Sequence, residues 1–212
     1  VVIARGLVFS GKSPGRFIPF KDIVQGYKAP GGASIGEPAI GRGGFMLKGL
    51  TPLDPGTGRG MPGPSQTVGA QVVEVEADLA THTYRIISAS TAIDVGNAVD
   101  PEATRAMVAG GMAMGVSMAS REAFHYDGRG VLTTPNLRSY KLLHIGQEPD
   151  YRVDLVETPD DCAPYGVRAF SEHGIIGIPA ALGNALSAAF GLDVASLPLT
   201  PESLWRLSER KA

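Results

Sequence analysis

Three stretches of the chain hold side chains in arrangements that chemistry uses. The first is Gly6-Leu7-Val8-Phe9-Ser10-Gly11-Lys12-Ser13, which fits the phosphate-loop pattern GxxxxGK followed by Ser or Thr. That pattern binds phosphate only where backbone N–H groups curl around the anion and a helix starts at the Gly-Lys-Ser. Here Pro14, Gly15 and Pro19 follow closely, and proline inside a helix removes a donor and clashes with the preceding turn. Leu7-Val8-Phe9 reads as strand, not as a small flexible cradle. A strand running into a polar turn is expected at Lys12, and the nucleotide-binding reading is set aside. The second stretch surrounds Cys162, the only cysteine, in the polar loop Asp160-Asp161-Cys162-Ala163-Pro164. It has no CxxC partner and no His/Asn pair close in sequence, so a nucleophilic role is not expected. Neither Cys162 nor His82, His125, His144 and His173 stands at a metal-ligand spacing from another, so no metal held directly by protein side chains is expected.

The third stretch, Pro164 to Gly174, combines small residues, Arg168 and the lone carboxylate Glu172 just before Ile175-Ile176-Gly177-Ile178. A carboxylate at the edge of a buried apolar segment is costly unless it is partnered. Glu172 is therefore either a satisfied surface side chain or a group held there for use, and on the residues alone the satisfied surface side chain is the better reading. Asp94, before a Gly turn, suits a structural cap, and Asn97 suits a turn.

The elements that must position these residues follow from patterning. The 212 residues are enough for one large domain or two small ones, and 43% are hydrophobic, so a core can form. A net charge of −2 gives no electrostatic footprint for nucleic acid. A single cysteine suits a reducing, cytoplasmic setting. The longest low-polarity run, Ala106 to Ala119, is short for a membrane span, and no membrane partner is expected. The apolar opening Val1-Val2-Ile3-Ala4 reads as mid-strand, as if the polypeptide continued upstream. Val1–Phe9 reads as a strand and Phe20–Tyr27 as a short helix. Lys28–Gln66 is dominated by Gly and Pro, a loop long enough to be a surface arm, a flexible segment or a docking surface for absent protein. Residues 1–66 are accordingly grouped apart from 67–212. Val68–Glu76, with Val68, Ala70, Val72 and Val75 as its half-buried set, and Thr83–Asp94 read as a β-hairpin. Asp100 is a good N-cap and Pro101 a good first residue for a helix to about Arg121. Gly110, Gly111 and Gly115 cost that helix about 1 kcal/mol each, which close packing of a neighbouring backbone would offset. Met107, Met112, Met114 and Met118 read as core filler. Arg152–Glu157 reads as a strand, Pro179–Phe190 as a helix stopped by Gly191, and Thr200-Pro201 as the start of the last helix.

The order of these segments resembles the molybdenum-cofactor subunit of the aldehyde oxidase/xanthine dehydrogenase family, over about Thr67 to the end. Val68–Asp78 is similar to the family's opening hairpin strand, and Asp94-Val95-Gly96 with Asp100-Pro101 to its "DvG…NP". Tyr140-Lys141 is similar to "dYkiP", Val156-Glu157-Thr158-Pro159 to "vetP", Gly166–Glu172 to "GaKgvGE", and Leu197–Pro201 to "lPlTPe". The resemblance implies an α+β fold, with a mixed or antiparallel sheet packed by helices, and a place in the C-terminal part of that subunit. It implies a molybdenum-pterin cofactor, with 2Fe-2S clusters and FAD on partner subunits or domains, and the remaining N-terminal part of the molybdenum subunit as a further partner. The activity implied is oxidation of an aldehyde, purine or N-heterocycle with water-derived oxygen, Glu172 taking the proton from Mo–OH. Ser171 and Glu172 would bind the cofactor, and Arg168 and Phe170 would orient the small-molecule substrate. Phe170-Ser171 replaces the family's usual "vG", which adds bulk and restricts φ next to the metal, and Met107 falls where the family often has Gln. The alternative is a non-catalytic assembly module or inactive fragment of the same ancestry. In either case the chain alone is expected to be inactive.

Overall fold

The chain divides into two units, Val1–Lys48 and Gly49–Ala212, and a computed structural model describes residues 1–44, 46, 47, 49–63 and 66–210. In the first unit β1 (Val2–Ala4), β2 (Leu7–Ser10) and β3 (Ser13–Pro19) form an antiparallel sheet in that order. The one strand expected over 1–9 is two, because Arg5 and Gly6 take φ values of 50° and 74°. Two successive positive φ values are what a tight hairpin turn needs. Lys12 lies with Gly11 in the next turn, between β2 and β3, and no helix starts there. α1 (Phe20–Val24) ends earlier than expected, Gly26 turning left-handed (φ 83°) just beyond it. Inside the Gly/Pro-rich stretch a short hairpin, β4 (Tyr27–Lys28) with β5 (Ser34–Ile35), still forms.

The second unit is built on β6 (Gly69–Asp78), β7 (Thr83–Asp94) and β8 (Asp150–Val156), in the order β6-β7-β8. β6 and β7 pair antiparallel and β8 runs parallel to β7, so the sheet is mixed and the fold is α+β. The Asp78 carboxylate closes the hairpin by accepting the backbone N–H groups of Ala80 and Thr81. A register shift at Glu74/Val75 changes the parity of β7. Tyr84 and Ile86 pack on the core before it, and Ala89, Thr91 and Ile93 are buried after it. On β6 the inward set is Gln71, Val73 and Val75, not Val68 and Val72, which are exposed. Apolar residues occupy both parities of this strand, so period two by itself does not choose the face.

α2 (Pro101–Ser120) starts as expected, with Pro101 in its first turn and the Asp100 carboxylate accepting Ala103 N–H. Val108, Met112, Val116 and Ala119 bury themselves against Ile178, Leu182 and Leu186 of α5 (Ile178–Phe190) and against Ile93, Leu199 and Leu204. Of the four methionines expected in the core only Met112 is there; Met107, Met114 and Met118 are exposed. At 100° per residue these three fall together on one stripe, turned about 120° from the stripe of Val108 and Met112. α5 ends at Gly191 in the left-handed region, and α6 (Pro201–Glu209) is capped by Thr200 Oγ1 accepting Ser203 N–H. Two single turns, α3 (Leu137–Tyr140) and α4 (His173–Ile176), complete the helices. Among the described residues His173–Phe190, rather than 106–119, is the helical stretch long and apolar enough to cross a membrane by length and composition. It is broken at Gly177 and turns Ile178, Leu182 and Leu186 into the core.

Candidate active site

The residues singled out between 164 and 174 lie on one loop, and the end of β7 holds it. Asp94 Oδ1 accepts the N–H groups of Gly96 (3.0 Å) and Thr158 (3.1 Å). Its Oδ2 is 3.5 Å from Arg168 Nε. The Arg168 guanidinium also donates to the carbonyls of Thr158 (3.1 Å) and Gln66 (3.0 Å) and lies 4.0 Å from Asp160. Backbone pairing continues the contact, with Asn97 N–H donating to Gly166 O and Arg168 N–H to Val95 O. Gly96 is required there: its φ is 72°, and a Cβ would sit 2.2 Å from Gly166 O. Burial pushes the Asp94 carboxyl up, but the Gly96 and Thr158 donors and the Arg168 charge outweigh it and hold it below its ordinary value. Asp94 is the structural cap the sequence suggested, and Asn97 steadies the loop further by donating to Tyr165 O.

Beyond Arg168 the Thr67 hydroxyl donates to Ala169 O, and Phe170 packs half-buried against the core. Ser171 is exposed and keeps φ negative, so a Cβ at this position brings no backbone strain. Glu172 is the exposed residue at the head of α4, with φ −96° and ψ −1°, and its carboxylate does not cap the turn behind it.

The turn behind Glu172 is fixed from two sides. On one side it presses into a glycine slot on α2. A Cβ on Gly174 would lie 2.3 Å from Val108 O and 3.0 Å from Gly111 Cα and Met112 N. A Cβ on Gly115 would lie 3.0 Å from Ile178 Cβ and 3.1 Å from Ile175 O. This is the close backbone approach that Gly111 and Gly115 led one to expect; Gly110 has nothing within 4 Å. On the other side stands Gln71 of β6. Its amide donates to Thr91 Oγ1 (2.8 Å) and to Gly174 O (3.0 Å). Its Oε1 fills the space a Cβ on Gly177 would need, 2.3 Å away. Gln71 was not singled out from sequence. Its signal was a polar residue at the same parity as Val73 and Val75, visible only once the inward face is known.

A groove of about 1430 Å³ elsewhere in this unit is lined by residues including Tyr84, Arg121, Lys141, Glu148 and Ser203, and none of 168–172 borders it. Arg168, Phe170, Ser171 and Glu172 follow one another along the loop, away from this groove.

The mixed α+β fold of this unit has molybdenum hydroxylases among its solved structural neighbours. The aldehyde oxidoreductase from Desulfovibrio gigas superposes with a TM-score of 0.70 at 26% identity, covering 76% of this chain and 17% of that one. In sequence, the nicotine 6-hydroxylase large subunit of Paenarthrobacter nicotinovorans is 29% identical over 144 residues, 66% of this chain and 18% of the relative. A xanthine dehydrogenase molybdenum-binding subunit of Escherichia coli is 32% identical over 138 residues, 65% of this chain and 18% of the relative. A family described as molybdopterin cofactor-binding domain matches residues 1–149. The chain belongs to that family, among the molybdenum-binding subunits of the xanthine dehydrogenase and aldehyde oxidase group. The match takes in residues 1–66, where sequence motifs had shown little. The chain spans about a fifth of the length of these curated relatives.

The residues present fit a metal that arrives in its own organic ligand. No group of three or more His, Cys, Asp or Glu able to hold a metal occurs among the described residues. The loop instead offers an uncapped exposed carboxylate and an exposed Ser, with the buried His173 Nδ1 lacking a hydrogen-bond partner beside them.

Proposed function

We propose that this chain supplies the proton-accepting carboxylate and part of the cofactor cradle of a molybdenum hydroxylase. In this reading the assembled enzyme oxidises an aldehyde, a purine or an N-heterocycle, and the oxygen it inserts comes from water. The observation that carries the reading is Glu172: an exposed carboxylate at the head of a turn that α2 and Gln71 hold rigidly from behind. An ionised carboxylate only accepts hydrogen bonds, and a general base must stand within hydrogen-bond reach of the proton it removes.

Ser171 and Glu172 would lie against the cofactor, through backbone and side chain. When bound, that cofactor supplies the two-electron acceptor and the oxygen that reaches the substrate. The Glu172 carboxylate would be the group placed to accept a proton at that site. Arg168, committed to Asp94 and to two carbonyls, serves by holding the loop, and Phe170 anchors it on the core. Any substrate contact by these two is made from that fixed position. Electrons would leave through 2Fe-2S clusters and FAD on partner subunits, in the cytoplasm. Two relatives are themselves subunits, one of them of a dehydrogenase complex, which supports a multi-subunit setting.

The test is Glu172→Gln in the assembled enzyme. Molybdenum content should stay at the wild-type level while turnover falls by at least about 10²-fold, the usual contribution of a positioned base. Turnover within a few-fold of wild type would remove Glu172 from this role.

A further inference from the structure

The geometry points to Gln71 as a positioning residue for the proposed base: its side-chain amide sets where the Glu172 turn stands over the sheet. The inference rests on the reading of Glu172 given above. Its ground is a polar side chain where the strand pattern calls for an apolar one. Val73 and Val75, the next inward residues of β6, pack in the core. A glutamine at this parity forgoes that packing; its Nε2 finds two acceptors there, while its buried Oε1 has no hydrogen-bond partner, a cost that a side chain serving only as core filler would not carry.

Gln71 and Thr91 are direct cross-strand partners, and Thr91 is buried. Gln71 Nε2 spends one proton on Thr91 Oγ1 and the other on Gly174 O. The first bond fixes the side chain on the sheet, and the second ties the sheet to α4, two residues after Glu172. Gln71 Oε1 lies against Gly177, the last position before α5. One side chain thus meets both ends of the turn His173–Gly177, while Val108, Gly111 and Met112 of α2 close the opposite side. The α2 contact is shape alone and resists only approach. The Gln71–Gly174 bond has direction and resists sliding or rotation of the turn. Glu172 has no side-chain cap bond of its own to hold it, so its placement depends on this backbone.

The test uses two variants and two readouts. Gln71→Leu keeps the volume and removes both donors. Gln71→Glu keeps the shape and can donate to Gly174 O only when its carboxyl is protonated. In the 212-residue chain, backbone hydrogen exchange is measured residue by residue. Gln71→Leu should speed exchange about fivefold or more at Ile175 N–H, which donates to Glu172 O, and leave the middle of α5 at wild-type rates. A loss near one hydrogen bond's worth corresponds to that factor. In the assembled enzyme, Gln71→Leu should lower kcat about tenfold with KM little changed. The kcat of Gln71→Glu relative to wild type should rise as the pH falls, as the protonated carboxyl restores the donor. Exchange that speeds uniformly over the whole unit, or not at all, would overturn the inference. So would a Gln71→Glu to wild-type ratio that is flat with pH. The exchange result stands apart from the chemistry: if Glu172→Gln retained full turnover, the base assignment would fall while the local exchange pattern still reported on Gln71.

Discussion

Replacing Gly174 by Ala tests the packing on which the site depends. The new Cβ would sit 2.3 Å from Val108 O and 3.0 Å from two further backbone atoms of α2. Ordinary contact is about 3.5 Å, so the turn or the helix must shift by roughly 1 Å. None of the opposing atoms belongs to a flexible side chain, and α2 is anchored by Val108, Met112 and Val116 in the core. Overpacking of this kind costs about 1–3 kcal/mol, and a backbone clash belongs at the upper end. Gly110→Ala is the control on α2 itself, beside Gly111: its Cβ meets nothing within 4 Å, so the helix gains up to about 1 kcal/mol of propensity. The two substitutions, alike in chemistry, should move stability in opposite directions. Trp205, the chain's one tryptophan, lies on α6 within the same unit, so its fluorescence during urea or thermal unfolding reports that unit. At about 2–4 °C per kcal/mol for a domain of this size, Gly174→Ala should lower the midpoint by roughly 6–12 °C while Gly110→Ala holds or raises it. In the assembled enzyme, displacing the Glu172 turn by about 1 Å should cost on the order of 10² in turnover. Equal midpoints for Gly174→Ala and wild type would refute the glycine-slot argument.

Three further outcomes follow from the same structure. Asp94 is held below its ordinary value in the folded state, so its contribution is present above the unfolded value and is lost as pH falls through the lowered folded value. Asp94→Asn should therefore lower the urea midpoint near neutral pH and flatten its decline between about pH 5 and pH 2. The 212-residue chain purified alone should carry far less than one molybdenum per chain by elemental analysis, because it spans about a fifth of its relatives and, in the proposed reading, supplies only part of the cofactor cradle. Lys12 lies in a hairpin turn with no helix behind it, so calorimetric titration should show no tight ATP binding for Lys12→Ala to abolish.

What could be read from the sequence was what local chemistry decides. Asp100-Pro101, Gly191 and Thr200-Pro201 marked helix ends because capping involves residues a few positions apart. The β6–β7 hairpin showed in its alternation, and Pro14 and Gly15 were enough to deny Lys12 a helix. The inward face of β6 was misjudged because Val68 and Val72 sit on the parity that turns outward. Three methionines of α2 were placed in the core because methionine content says nothing of helical phase. At the site, the order of family-like segments led to Glu172, while its supports stayed hidden. Asp94 meets Arg168 across 74 positions and Gln71 meets Gly174 across 103, and no spacing rule reaches so far. The glycines of α2 were legible as a cost awaiting a neighbour; which neighbour, and that Gly110 has none, needed the packed structure.

If Glu172 accepts the proton during substrate oxidation, the most direct measurement follows that step alone. Glu172→Gln is prepared in the assembled enzyme with its molybdenum content matched to wild type, mixed rapidly with substrate, and the first reduction of the metal centre is timed spectroscopically. Glutamine preserves size and hydrogen bonding but cannot accept the proton. Reduction should slow by at least about 10²-fold while substrate still binds. Reduction within a few-fold of the wild-type rate would contradict the assignment of Glu172 as the base.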